Sequence, residues 1–132
     1  MDETQKAKVD AAIANVIGAA GHLANAKQLE MLLEAQRSQL KSDAIARIMA
    51  LEDPQKPGKT YSATAAAEVV MFDKVFAQHE QDRRNATADT IRAAGEYEAA
   101  KLATRFAVTG AEIDGFEPLR LALRQNHTVG LN

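Results

Sequence analysis

Three histidines are the first residues to test for chemistry: His22, His79 and His127. His79-Glu80 matches the start of the zinc motif HExxH, whose second histidine would fall at position 83. That position holds Arg83, and a guanidinium cannot replace a neutral imidazole as a metal ligand. His79 and Asp82 lie one helical turn apart, so they could hold a metal only with ligands from elsewhere. The expected role of His79 is a place on a solvated helix face. No glutamate stands three residues before any of the histidines, so the paired Glu-x-x-His sets of di-iron bundles are missing.

The remaining candidates fail on context. Pro57-Gly58-Lys59-Thr60 contains the Gly-Lys-Thr that ends a phosphate-binding loop. The earlier glycine of that motif should occupy position 53, which is Asp53, and a helical pattern rather than a strand leads into it. Glu96 and Glu98 flank Tyr97 and point to different sides of a helix, a poor arrangement for paired acid–base work. Ser38, Ser42 and Ser62 read as helix surface or cap, and there is no cysteine to supply a thiolate or a disulfide. The expectation is a non-enzymatic chain with no cofactor, no metal and no catalytic residue.

Basic residues are the next set to weigh. Lys56 and Lys59, with Tyr61 as the nearby aromatic, mark one place for a nucleic-acid or partner contact. His79, Arg83 and Arg84 mark another. Adjacent Arg83 and Arg84 diverge by about 100° on a helix, and Glu80 and Asp82 dilute them. The net charge is −2 and evenly spread: residues 1–66 hold eight bases and eight acids, residues 67–132 eight bases and ten acids. A wholesale electrostatic nucleic-acid binder is normally basic. Nucleic acid is therefore the alternative, and a protein partner the leading expectation.

The elements that carry these residues are helical. Val9, Ile13, Val16, Ile17, Leu23, Leu29, Leu32, Leu33, Leu40, Ile45, Ile48, Met49 and Leu51 recur at steps of three, four and seven. This predicts a first helix over about 2–51. Gly18 and Gly21 leave two readings: one continuous helix whose glycines allow a close crossing, or a turn with a new cap near Asn25. Continuity is the expectation. Two prolines and Gly58 break the chain, giving an interhelical loop at 53–61, after which Thr60 or Ser62 can cap. A second helix is expected over about 62–108, ended by Gly110 and Gly115. Charges at helical spacing support both helices: Asp2 with Lys6, Glu34 with Arg37, Asp43 with Arg47, Glu80 with Arg84, Arg92 with Glu96, and Glu98 with Lys101.

The expected fold is all-α: a long antiparallel helical hairpin in a single domain over 1–132, with a C-terminal element and mobile tail at 109–132. Aromatics are only 5% and alanine is abundant, so the core should be thin. A bare hairpin cannot cover apolar residues on more than one stripe. Oligomerisation, as a coiled coil or completed bundle with a dimer favoured, would bury them. The expected contacts are Val69, Phe72 and Phe76, with Leu119, Leu121 and Leu123 from the C-terminal element. Residues 76–90 carry no large apolar side chain between Phe76 and Ile91, and are expected to be the least buried part of the second helix. The polar N-terminus and the lack of any long apolar run point to a cytoplasmic protein without a membrane span.

Residues 59–108 carry a resemblance. Lys59-Thr60-Tyr61-Ser62-Ala63-Thr64-Ala65-Ala66-Ala67-Glu68, a polar helix, and Gly95-Glu96-Tyr97-Glu98-Ala99-Ala100-Lys101-Leu102-Ala103 resemble small helical proteins encoded in phage and prophage early regions. The resemblance implies an accessory protein acting on DNA metabolism or on a host defence system. It assigns no residue a role.

Overall fold

The computed structural model describes residues 2–115, with side chains up to Gly110. Two long helices pack against each other: α1, Glu3–Met49, and α3, Lys74–Gly115. Between them come a folded loop, a short helix α2 at Ala63–Glu68, and a 3₁₀ turn at Val70–Phe72. The expected all-α hairpin is what the described residues form. Leu119, Leu121, Leu123 and the expected C-terminal element after Gly115 lie outside them.

Contacts group the chain into two compact units. Of the described residues, the first holds those up to Leu23 together with Ala93 to Gly115. On α1 its inward positions are Gln5, Val9, Ala12, Val16, Ala19 and Leu23; on α3 they are Ala93, Tyr97, Ala100, Thr104 and Ala107. Both rows step by three and four, the spacing of an antiparallel coiled-coil seam. Five of these eleven positions are alanines, at 12, 19, 93, 100 and 107, so small side chains supply much of the seam. The hydroxyl of Thr104 donates across the seam to the carbonyl of Ala12 at 3.1 Å. His22 Nδ1 faces Glu96 at 3.6 Å, both largely exposed.

The second unit is Ala24–Arg92. Its own seam steps by three and four: Ala26, Glu30, Leu33, Arg37, Leu40, Ala44 and Ile48 against Phe76, His79, Arg83, Ala86 and Thr90. The densest packing is where Ala44, Val70 and Phe76 meet, flanked by Leu40 and Ile45. Phe76 is 1% exposed, and the Arg37 guanidinium stands over its ring, 5.9 Å from the centroid.

Four expectations about the elements need correction. α1 runs unbroken through Gly18 and Gly21, yet those glycines do not serve a close crossing, because a Cβ at either would meet nothing within 4 Å. The helix expected over 62–108 is broken at 69–73. Val69 and Val70 are β-branched and weak helix formers, and Asp73 adopts extended backbone (φ −72°, ψ 118°) to cap a fresh helix. The carboxylate of Asp73 accepts the Phe76 N–H at 2.9 Å, while Ser62 caps α2 by accepting the Ala65 N–H at 3.1 Å. At its far end α3 passes through Gly110 and continues to Gly115. Finally, residues 76–90 are not the least buried part of α3: Phe76, His79 and Ala86 are three of its buried residues.

The loop is also ordered by its own bonds. Glu52 pairs with Thr60 in an antiparallel bridge, the Asp53 N–H donates to the Lys59 carbonyl at 2.8 Å, and the Gly58 N–H donates to Glu52 Oε1 at 2.8 Å. Gly58 takes φ +81°, a left-handed conformation that disfavours any side chain. Asp53 is buried and accepts the Gln55 N–H. Lys59 closes the turn through its backbone, its N–H donating to the Lys56 carbonyl at 3.0 Å.

Candidate interaction face

The break at 69–73 decides which side chains face out. A 3₁₀ turn advances by about 120° per residue, so Val70 and Phe72 cannot share a side. Val70 enters the core at 7% exposure, and Phe72 is left 82% exposed. Phe72 is one wall of a groove of about 400 Å³, which is lined also by Ile48, Leu51, Tyr61, Val69 and Val75 and by the charged Arg47, Asp73 and Lys74. Leu51 and Val75 are each more than half exposed.

One ion pair holds this arrangement. The Arg47 guanidinium donates two bonds to the Asp73 carboxylate, at 2.8 and 2.7 Å. A bidentate fork of this kind fixes orientation as well as attraction. The same carboxylate caps α3, so α1, the 3₁₀ turn and α3 are tied at one residue. The Arg47 bond and the Phe76 N–H together hold the Asp73 carboxyl down to about 2, against an ordinary value near 3.8.

The candidate residues from the sequence fall into different places. Phe72 and Val69 reach the groove, as does Tyr61, which is half-buried. Phe76, expected at an oligomer contact, is instead core: its side chain fills the space beneath Val70 and Ala44. His79, expected on a solvated face, is 6% exposed, and neither ring nitrogen finds a hydrogen-bond partner. Its nearest carboxylate oxygen, on Glu80, is 3.8 Å from Nδ1.

Arg83 is occupied within the chain. It pairs with Glu34 on α1 and donates to both oxygens of Glu80, at 3.2 and 3.0 Å. Arg37 donates to the same Glu80 at 3.0 Å. Burial pushes the Glu80 carboxyl up, but Arg37 and Arg83 outweigh it and hold the group below the usual carboxylate range. Arg84 is exposed and donates to the neutral Gln81 side chain. Lys56 and Lys59 stay exposed on the loop. The expected ion pairs Asp2–Lys6, Glu34–Arg37, Asp43–Arg47, Glu80–Arg84 and Arg92–Glu96 do not form; Arg92 pairs with Asp89, and Glu98–Lys101 does form, at 2.8 Å.

Among the described residues, no group of three or more histidines or carboxylates is placed to hold a metal ion, and no helix is long and apolar enough to cross a membrane. Sequence reading missed Arg47, Leu51, Asp73 and Val75 as parts of the face. The available signal was Asp73 three residues before Phe76, a cap spacing hidden inside an apparently continuous helical pattern. Comparison with known proteins finds no family model, no curated protein and no solved structure that matches the chain.

Proposed function

We propose that this chain is a non-enzymatic helical interaction protein that binds a protein partner through the face around Phe72. The observation that carries the reading is a large aromatic side chain held 82% exposed beside an apolar groove by a capped and ion-paired turn. Exposed single apolar residues are ordinary, but a contiguous group of Phe72, Leu51, Val75 and Val69 is the kind of patch that marks interaction sites. Aromatic anchors carry a disproportionate share of binding energy at such sites. If the resemblance of residues 59–108 to phage and prophage proteins holds, the partner is a component of host defence or DNA metabolism.

The nucleic-acid alternative draws less support, because Arg83 spends its donors on Glu34 and Glu80 and leaves Lys56, Lys59 and Arg84 scattered. The test is quantitative capture from the cell of origin with the wild-type chain and with F72E as baits. The reading expects proteins retained by the wild type and depleted with F72E. Identical captures would contradict it, and DNA binding that falls steeply with added salt would favour the alternative.

A further inference from the structure

The face around Phe72 carries both a projecting knob and a groove that could receive one. We infer that its partner is a second copy of this chain, paired about a two-fold axis so that each Phe72 enters the groove of the other. This rests on the interaction reading above and names its partner. An isologous contact requires a patch that is complementary to itself. Here Phe72, 82% exposed, forms one wall of a hollow of about 400 Å³ and projects from it, with Leu51, Tyr61, Val69 and Val75 also lining that hollow.

The charges fit the same symmetry. Segment 68–74 reads Glu-Val-Val-Met-Phe-Asp-Lys, with an exposed acid at one end and an exposed base at the other. Among the described residues, neither Glu68 nor Lys74 makes an ion pair within the chain. A two-fold axis near the middle of the segment brings each Glu68 toward the partner's Lys74. Asp73 and Arg47, the other charges at the rim, already neutralise one another at 2.7 Å. Two copies can therefore approach without like charges opposed.

Apolar patches of a few hundred Å² are the scale at which monomers mark interaction sites. Stable pairs bury about 1,200 Å² or more in total, so a dimer held by one such groove and its rim falls at the weak end. The expected dimer is accordingly reversible and concentration-dependent.

The test is sedimentation equilibrium of the full chain across the micromolar to millimolar range. The expected mass rises from 14.2 kDa toward twice that value. F72E, at a position outside the core, should keep its helical circular dichroism and weaken the dimer about thirtyfold, a hot-spot-sized loss. E68K and K74E should each weaken it about two- to fivefold, and the double variant E68K/K74E should recover the wild-type strength. A mass of 14.2 kDa throughout, or a dimer that F72E leaves unchanged, overturns the inference. Single charge variants that weaken the dimer without rescue in the double variant overturn the two-fold arrangement. A monomeric chain with F72E-sensitive capture leaves the interaction face standing with another protein as its partner; insensitivity in both experiments removes the two readings together.

Discussion

Asp73 joins three elements, and its protonation should loosen them. Its folded carboxyl, near 2, lies below its ordinary value near 3.8. A depressed folded value contributes stability above the ordinary one, and that contribution is lost as pH falls from about 4 through about 2. In D73N the cap acceptor survives but the charge does not. The difference in melting temperature between wild type and D73N should be full at about pH 5 and close to zero near pH 2. An unchanging difference would show that Arg47 gains nothing from the ion pair. His79 makes the opposite case: a polar ring buried with two idle nitrogens, a condition that costs roughly 1–3 kcal/mol. H79L should raise the free energy of unfolding in urea by an amount on that scale. A loss of stability would mean the ring has partners among water or ligand.

At the scale of elements, the helices were legible and their faces were not. The breaking effect of Pro54, Pro57 and Gly58 is local chemistry, so the loop and the helix on either side of it could be placed. The seam was harder to see, because large apolar residues advertise burial and here they do not supply most of it. Ile17, Ile91 and Phe106 are each more than two-thirds exposed, while Ala86, Ala93 and Ala44 are buried. The informative period was alanine every seventh residue, at 12, 19 and 26 on α1 and at 86, 93, 100 and 107 on α3. The break at 69–73 was hard to see for another reason: its cap, Asp73 three residues before Phe76, sits inside an apparently continuous helical pattern, and its second partner, Arg47, is 26 residues away. This view of the seam has a paired test. A93L should destabilise by about 1–3 kcal/mol through overpacking. G21A should stabilise by about 0.5–1 kcal/mol, because it removes helix-interior glycine where a methyl meets nothing. Denaturant midpoints that move the same way for both would contradict the assigned faces.

At the scale of the whole molecule, the described residues spend their charged groups on holding helices together and leave apolar groups outside. Arg37, Arg47 and Arg83 each tie one helix to an acid on another segment. Phe72, Leu51 and Val75 remain uncovered at one site. That division is the reason the proposed interaction is assigned to the face and not to a polar cluster. The fold class could be read from sequence, but the face could not, because exposure at Phe72 follows from a turn set by Val69, Val70 and the Asp73 cap, whose carboxylate is also held by Arg47 on α1. The most direct measurement of the claim is photo-crosslinking in the cell of origin, with a photoreactive phenylalanine analogue at position 72 and, as the control, at exposed Asn85. The account predicts discrete protein adducts from position 72, containing either a second copy of the chain or another protein, and none of comparable yield from position 85. No adduct at position 72, or the same adducts from both positions, would contradict it.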